Sequence, residues 1–153
     1  MKKIGLVISM FFLGVALYAC STTTTTPDGL DYEDFNYIEA YSEIFDRREG
    51  TYLIYLYEPT CSNCNKIKTS VLTFASTYTT HPIYFFDVTG LEDETGEAAY
   101  LAKTGQTSLV YPVLIVVIDN DFDLTNKAKY FYSGVSKISL VLTDMKNGVY
   151  DWA

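Results

Sequence analysis

Cysteine, histidine and basic side chains are all scarce in this chain of 153 residues, and each shortage narrows its chemistry. There are three cysteines and one histidine. Zinc is commonly held by four nitrogen or sulfur ligands, and a set drawn from Cys61, Cys64, His81 and stray carboxylates is a poor match. His81 stands beside Pro82 at the end of a helical pattern, which is the setting of a surface cap or turn. Lys and Arg number 11 against 19 Asp and Glu, a formal net charge of −8. That balance argues against nucleic acid as a partner. It argues equally against adhesion to anionic lipid by charge alone. No internal repeat is visible, and the longest apolar run, residues 4–17, is short for a membrane-spanning helix.

What is present begins with that run. Lys2 and Lys3 precede it, and Leu17-Tyr18-Ala19-Cys20 follows it. A positive start, a short apolar stretch and a small residue before a cysteine form a targeting segment. The last four residues resemble the lipobox of bacterial lipoproteins. That resemblance implies cleavage before Cys20 and lipidation of Cys20; an ordinary secretory signal or an uncleaved anchor is the alternative. The expected organisation is a lipoprotein signal peptide over 1–19, a lipid-anchored flexible tether over 20–31 and one folded domain over 32–153. The Ser/Thr run 21–26, ending at Pro27, suits a spacer that buries no core. The expected location is the extracytoplasmic face of a cell membrane, held there by lipid. With Cys20 lipidated, Cys61 and Cys64 remain as a pair, outside the reducing cytosol.

That pair is the most informative stretch. It reads Tyr57-Glu58-Pro59-Thr60-Cys61-Ser62-Asn63-Cys64-Asn65-Lys66. The apolar run 51–57 before it reads as a strand buried on both faces. After it, Cys64, Ile67, Val71, Phe74 and Tyr78 form a helical stripe. Cys61 therefore falls at a helix N-terminus, where unpaired N–H groups and the helix dipole favour a thiolate. A static disulfide is the bland alternative, but so short a loop gains little from cross-linking. Lys68, one turn past Cys64, reads as a solvated helix residue that could also favour a thiolate.

The remaining pattern is α, β, α, β, α, β, β, α. A helix carrying Phe35, Ile38, Tyr41 (or Ala40), Ile44 and Phe45 is expected to end at Gly50. Further strands are expected at 83–88, 113–118 and near 127–132, the last an edge strand marked by alternating lysines. An acidic loop is expected over 91–96 and a short helix over 97–103, stopped by Gly105. Ser136 is expected to cap the final helix. Asp119 to Asp123 faintly suggests a calcium loop, but Leu124 and Tyr130 occupy its glycine and glutamate positions, so it reads as a hairpin turn.

This order, with Cys-x-x-Cys after the first strand, Leu109-Val110-Tyr111-Pro112 before the third, and Gly134 before the last helix, resembles the thioredoxin family over residues 35–148. The resemblance implies an α/β thioredoxin fold with a central mixed four- to five-stranded sheet flanked by helices. It implies Cys61 as attacking nucleophile, Cys64 as resolving thiol, and a cis-proline at Pro112, with Tyr111 and Pro112 lining a groove for an extended substrate strand. It implies a thiol–disulfide oxidoreductase acting on cysteine-containing exported proteins with a membrane redox partner, without metal, flavin or nucleotide. The chain departs from thioredoxin at Thr60, Ser62 and Asn63, and Tyr55 stands where thioredoxin buries an acid. Those departures leave the direction of transfer open. They also motivate a second reading, a thioredoxin-like adaptor that binds a peptide or secretion partner without redox turnover. The Pro-Thr-Cys-x-x-Cys form resembles small thioredoxin-like lipoproteins and bacteriocin-transport accessory proteins.

Overall fold

Strand β1 (Tyr52–Tyr57) is buried along its whole length. Alternate side chains of a strand point to opposite faces, so its six apolar residues feed two cores. Leu53, Tyr55 and Tyr57 face one, and Tyr52, Ile54 and Leu56 face the other. The computed structural model that shows this describes residues 29–89 and 91–152. The expected signal segment, most of the expected tether and Cys20 lie outside the described residues.

After β1 come α1 (Ser62–Thr77), β2 (Ile83–Asp87), α2 (Glu94–Thr104), β3 (Val113–Val117), the single turn α3 (Lys127–Tyr130), β4 (Phe131–Ser133) and α4 (Val135–Lys146). The sheet has the order β2-β1-β3-β4. β1 runs parallel to β2, with Leu53 opposite Ile83, and antiparallel to β3, with Leu56 opposite Val113. β4 closes the edge, antiparallel to β3. Helices α1 and α4 cover one face, burying Ile67, Val71, Ile138, Val141 and Met145 against it. Each such side chain contributes roughly 1.5–3 kcal/mol on leaving water. Tyr100 of α2 and the segment holding Ile38, Tyr41 and Ile44 cover the other face. The architecture is the expected α/β sandwich of a mixed sheet between helices.

Several elements differ from expectation. Residues 35–45 form no α-helix. Two 3-10 turns, Tyr32–Asp34 and Tyr41–Ile44, flank an extended stretch. Asp31 accepts from the Tyr32 N–H at 2.7 Å while Asp34 accepts from the Asp31 N–H at 2.7 Å, which closes the first turn. The following backbone then serves the free edge of β2. Ile38 N–H donates to the Phe85 carbonyl at 3.0 Å, and Phe85 N–H to the Asn36 carbonyl at 2.8 Å. A fifth strand thus survives as one parallel bridge, Tyr37 to Phe85.

Lys127 and Lys129 lie in α3, not in a strand. The Asp123 carboxylate accepts from the Thr125 N–H at 2.8 Å and starts a 3-10 turn that runs into α3. Helix α2 begins inside the expected acidic loop because the Asp93 carboxylate accepts from the Gly96 N–H at 2.8 Å. Its C-cap is Gly105, as expected, at φ 60°. Helix α4 is capped by Gly134, and Ser136 is exposed within its first turn. Asp119 and Asn120 both take positive φ, 52° and 64°, and make a two-residue turn between Ile118 and Asp121.

Candidate active site

The end of β1 delivers the cysteines. After Tyr57 the chain turns, with the Cys61 N–H donating to the Glu58 carbonyl at 3.0 Å. The Asn65 side-chain amide donates to the Pro59 carbonyl at 3.1 Å, and Thr60 donates its hydroxyl hydrogen to the Glu58 carboxylate at 2.7 Å. These bonds hold the turn so that Cys61 becomes the N-cap of α1. Its sulfur accepts from the Cys64 N–H at 3.2 Å, taking the place a serine or aspartate oxygen usually takes. The positive end of the helix dipole is directed at this sulfur. Ser62 and Asn63, between the cysteines, are exposed.

The two thiols are free and sit in unlike surroundings. Cys61 is partly exposed, whereas Cys64 is 1% exposed on the inward stripe with Ile67 and Val71. Burial, and then a hydrogen bond with Cys61, pushes the Cys64 thiol up to about 12. At neutral pH Cys64 is therefore a protonated thiol in contact with its partner.

Pro112 immediately precedes Val113, the residue opposite Leu56, so Tyr111 and Pro112 lie at the sheet end from which β1 runs to Cys61. The Tyr111–Pro112 peptide bond is cis. The Pro112 carbonyl accepts from the Gly134 N–H at 3.0 Å, which ties this loop to the start of α4. Tyr111 is half-buried and packs against both cores; burial first, then the nearby Tyr41, raises its pKa. The fold thus gathers Cys61, Cys64, Tyr111 and Pro112 at one end. Cys20 lies outside the described residues.

Beneath the cysteines lies a cluster that the sequence did not reveal. Tyr55 of β1 is fully buried and Tyr32 is 4% exposed. Their rings are 5.8 Å apart, and Tyr32 also packs on Tyr57 at 3.9 Å. Both hydroxyls are buried, and no hydrogen bond of good geometry reaches either among the described residues. Burial above all raises the pKa of both phenols; the two rings' hydroxyls act on each other next, and the charges of Cys64 and Cys61 add smaller effects. Lys68 is not a free solvated residue. Its ammonium is 2.8 Å from the Asp31 carboxylate and 4.9 Å above the Tyr32 ring. That pairing, together with the Asp31–Tyr32 bond, lowers the Asp31 pKa below its ordinary value. Tyr55 was marked by the resemblance, which sets it where thioredoxin buries an acid. Tyr32, next to the expected tether, carried no such mark.

His81 lies past the end of α1 with its ring 4.4 Å from Trp152, and burial lowers its ionisation. Among the described residues no group of three or more His, Cys, Asp or Glu is arranged to hold a metal ion. No described helix is long and apolar enough to cross a membrane.

No family profile and no curated protein matches the chain. Solved structures do. A structure from work on the thiol-resolving mechanism of yeast mitochondrial 1-Cys peroxiredoxin through the glutathione and thioredoxin systems superposes with a TM-score of 0.55 at 12% identity, covering 77% of this chain and 99% of that one. Oxidised mitochondrial thioredoxin 3 from Saccharomyces cerevisiae gives 0.53 at 14%, covering 76% and 97%. Oxidised thioredoxin O2 from Arabidopsis thaliana gives 0.51 at 15%, covering 76% and 95%. Identities this low speak to architecture, and with the strand order β2-β1-β3-β4 and the cysteine pair heading α1, they show that this chain has the thioredoxin fold.

Proposed function

We propose that this protein is a membrane-anchored, extracytoplasmic thiol–disulfide oxidoreductase acting on exported proteins that contain cysteine. The observation that carries the reading is the asymmetry of the pair. A reachable sulfur, Cys61, caps a helix, and a buried thiol, Cys64, touches it from one turn inside. Thiol–disulfide exchange needs one accessible nucleophile and one resolving thiol that attacks second.

In the reducing direction, the Cys61 thiolate attacks one sulfur of a client disulfide. A Cys61–client S–S bond forms and the client's own S–S bond breaks, releasing one client thiolate. The Cys64 sulfur then attacks Cys61. The Cys61–Cys64 bond forms, the mixed disulfide breaks, and its electron pair leaves on the second client sulfur. The Cys64 proton ends on the departing thiolate. The client gains two electrons and the cysteine pair loses two. In the oxidising direction the same steps run backwards, and a membrane redox partner would restore the pair in either case. An extended client segment along Tyr111 and Pro112 would present its disulfide to Cys61, pairing backbone to backbone. Export and anchoring rest on Lys2, Lys3, the apolar run 4–17 and the Leu17-Tyr18-Ala19-Cys20 motif.

The test uses the full chain in cells. Cys64→Ser is expected to trap exported clients as mixed disulfides on Cys61, visible as bands that collapse on reduction. Cys61→Ser is expected to trap none, and the double variant to lose the phenotype of the intact gene. A double variant with full function would instead indicate an adaptor that binds a peptide or secretion partner. Mass spectrometry of the mature N-terminus should show a diacylglyceryl group on Cys20; an intact Met1 would remove the anchoring part of the reading.

A further inference from the structure

Resolution of a mixed disulfide by Cys64 poses a local difficulty. The thiol lies in a dry core, and its sulfur carries developing negative charge as it attacks. Ile67 and Val71 of its own helix, Leu114 and Val116 of β3, Phe85 of β2, and Ile138, Val141 and Leu142 of α4 offer it no hydrogen bond. The titratable side chains in this core, besides Cys64, are Cys61, Tyr32, Tyr55, Tyr57, Tyr78, Tyr111, Tyr132 and Tyr150. Tyr150 donates its hydroxyl to the Lys129 carbonyl at 2.6 Å, Tyr111 interacts with Tyr41, and Tyr78 with Thr80. Tyr132 of β4 spends its hydroxyl on the Lys129 carbonyl at 2.7 Å. Tyr57 interacts with Tyr37 and Asp87 on the far side. Asp31 and Lys68 are paired with each other beyond Tyr32, and Glu58 is engaged by Thr60 at the end of β1.

Backbone at Glu58 and Cys64 already favours the Cys64 thiolate, and among the side chains two groups remain, the hydroxyls of Tyr32 and Tyr55, which also interact with each other. Both are buried and neither has a partner of good geometry. A buried hydroxyl without a partner costs free energy throughout the life of the fold, so one that persists invites a partner present in only part of a cycle. Resting on the redox reading above, we propose that Tyr55 and Tyr32 are positioning residues for the resolving step, donating hydrogen bonds to the Cys64 sulfur when it becomes the attacking nucleophile. The phenols keep their own protons throughout. Burial holds both in the neutral form, so they act as donors only, and the Cys64 proton leaves with the departing thiolate as before. Hydrogen bonds to a charged group are the strong ones, and losing one from a dry site is felt in full.

The test separates the two thiol steps. Reduced protein is mixed with 5,5′-dithiobis(2-nitrobenzoate), which releases one coloured thiol when Cys61 is captured and a second when Cys64 resolves the adduct. Tyr55→Phe and Tyr32→Phe keep the rings that fill the core. Each is expected to slow the second release about tenfold or more. Each should also leave the first release within about twofold, and move the pH profile of the second release upward. Tyr57→Phe removes a phenol from the same core and should leave the second release unchanged. Equal slowing of both releases, or a second release matching wild type across the pH profile, overturns the proposal. A wild-type protein that releases only one thiol overturns the redox reading itself, whatever the tyrosine variants do.

Discussion

The Cys64 backbone N–H donates to the Cys61 sulfur at 3.2 Å, so the residue that attacks second helps to cap the helix on the residue that attacks first. One turn of α1 separates a partly exposed sulfur from one that is 1% exposed. Accessibility governs reaction with small electrophiles. In the reduced protein, substoichiometric iodoacetamide should therefore modify Cys61 about tenfold or more faster than Cys64. Peptide mass spectrometry of a time course reads the two sites separately. Equal rates, or a faster Cys64, would reverse the roles assigned to the pair.

The same burial makes the reduced protein sensitive to alkali. The Cys64 thiol is held up to about 12 in the fold, against an ordinary value of 9.0. Above the ordinary value the unfolded chain loses this proton while the native state keeps it, so stability falls as pH rises. The contribution is fully present below about 9 and is lost towards 12. Reduced wild type should lose about 1 kcal/mol more than Cys64→Ser between pH 9 and pH 10 in urea unfolding. Buried tyrosines such as Tyr52, held up to about 12, add a similar slope from somewhat higher pH, common to both proteins. Identical slopes for the two would mean that the Cys64 thiol is open to water in the native state.

Strong, simple patterns were legible in the sequence. The run 51–57 has apolar residues at both parities, as an interior strand does, and the stripe from Cys64 to Phe74 has one helical period. The placement of Tyr111 and Pro112 near Cys61 and Cys64 was what the resemblance to the thioredoxin family implied. Where side-chain caps compete with periodicity, the caps decide the backbone. Ile38, Tyr41 and Ile44 are buried as their spacing implied, yet the backbone bearing them is partly extended, because Asp31 and Asp34 close a turn and β2 offers an open edge. Lys127 and Lys129 alternate as in a strand, but Asp123 had already started a helical turn. The Tyr32–Tyr55 contact joins residues 23 positions apart through a fold in the chain that no local pattern specifies.

Helix α4 offers a test of which side chains hold the sheet's covered face. Ile138 is 0% exposed against that core, whereas Leu140, two residues on, is 64% exposed. Truncating a buried branched side chain removes both its transfer free energy and its contacts. Ile138→Ala should cost about 2–5 kcal/mol. Leu140→Ala should stay within about 0.5 kcal/mol of wild type. Chemical denaturation of both variants checks the ratio. Comparable losses would mean that α4 packs on the sheet through a different face.

The start of α4 separates two capping assignments that differ by two residues. Serine side chains often cap helices, and on that ground Ser136→Ala would cost about 1 kcal/mol. In the structure Ser136 is exposed and already inside the helix, and the N-cap is Gly134 at φ 88° and ψ 157°. That backbone region is essentially closed to residues with a Cβ. A methyl group at Gly134 would meet no atom within 4 Å, so the penalty of Gly134→Ala is conformational and not a clash. It should amount to about 1–3 kcal/mol, against a change near zero for Ser136→Ala. Gly134 also donates its N–H to the Pro112 carbonyl, so the backbone that relaxes is the one bracing the Tyr111–Pro112 loop. Gly134→Ala should therefore slow exchange with a protein disulfide more than exchange with a small one, because only the former needs that loop. Urea melts and parallel assays on the two substrate types check both parts. A neutral Gly134→Ala together with a costly Ser136→Ala would restore the serine cap and break the link between α4 and the site.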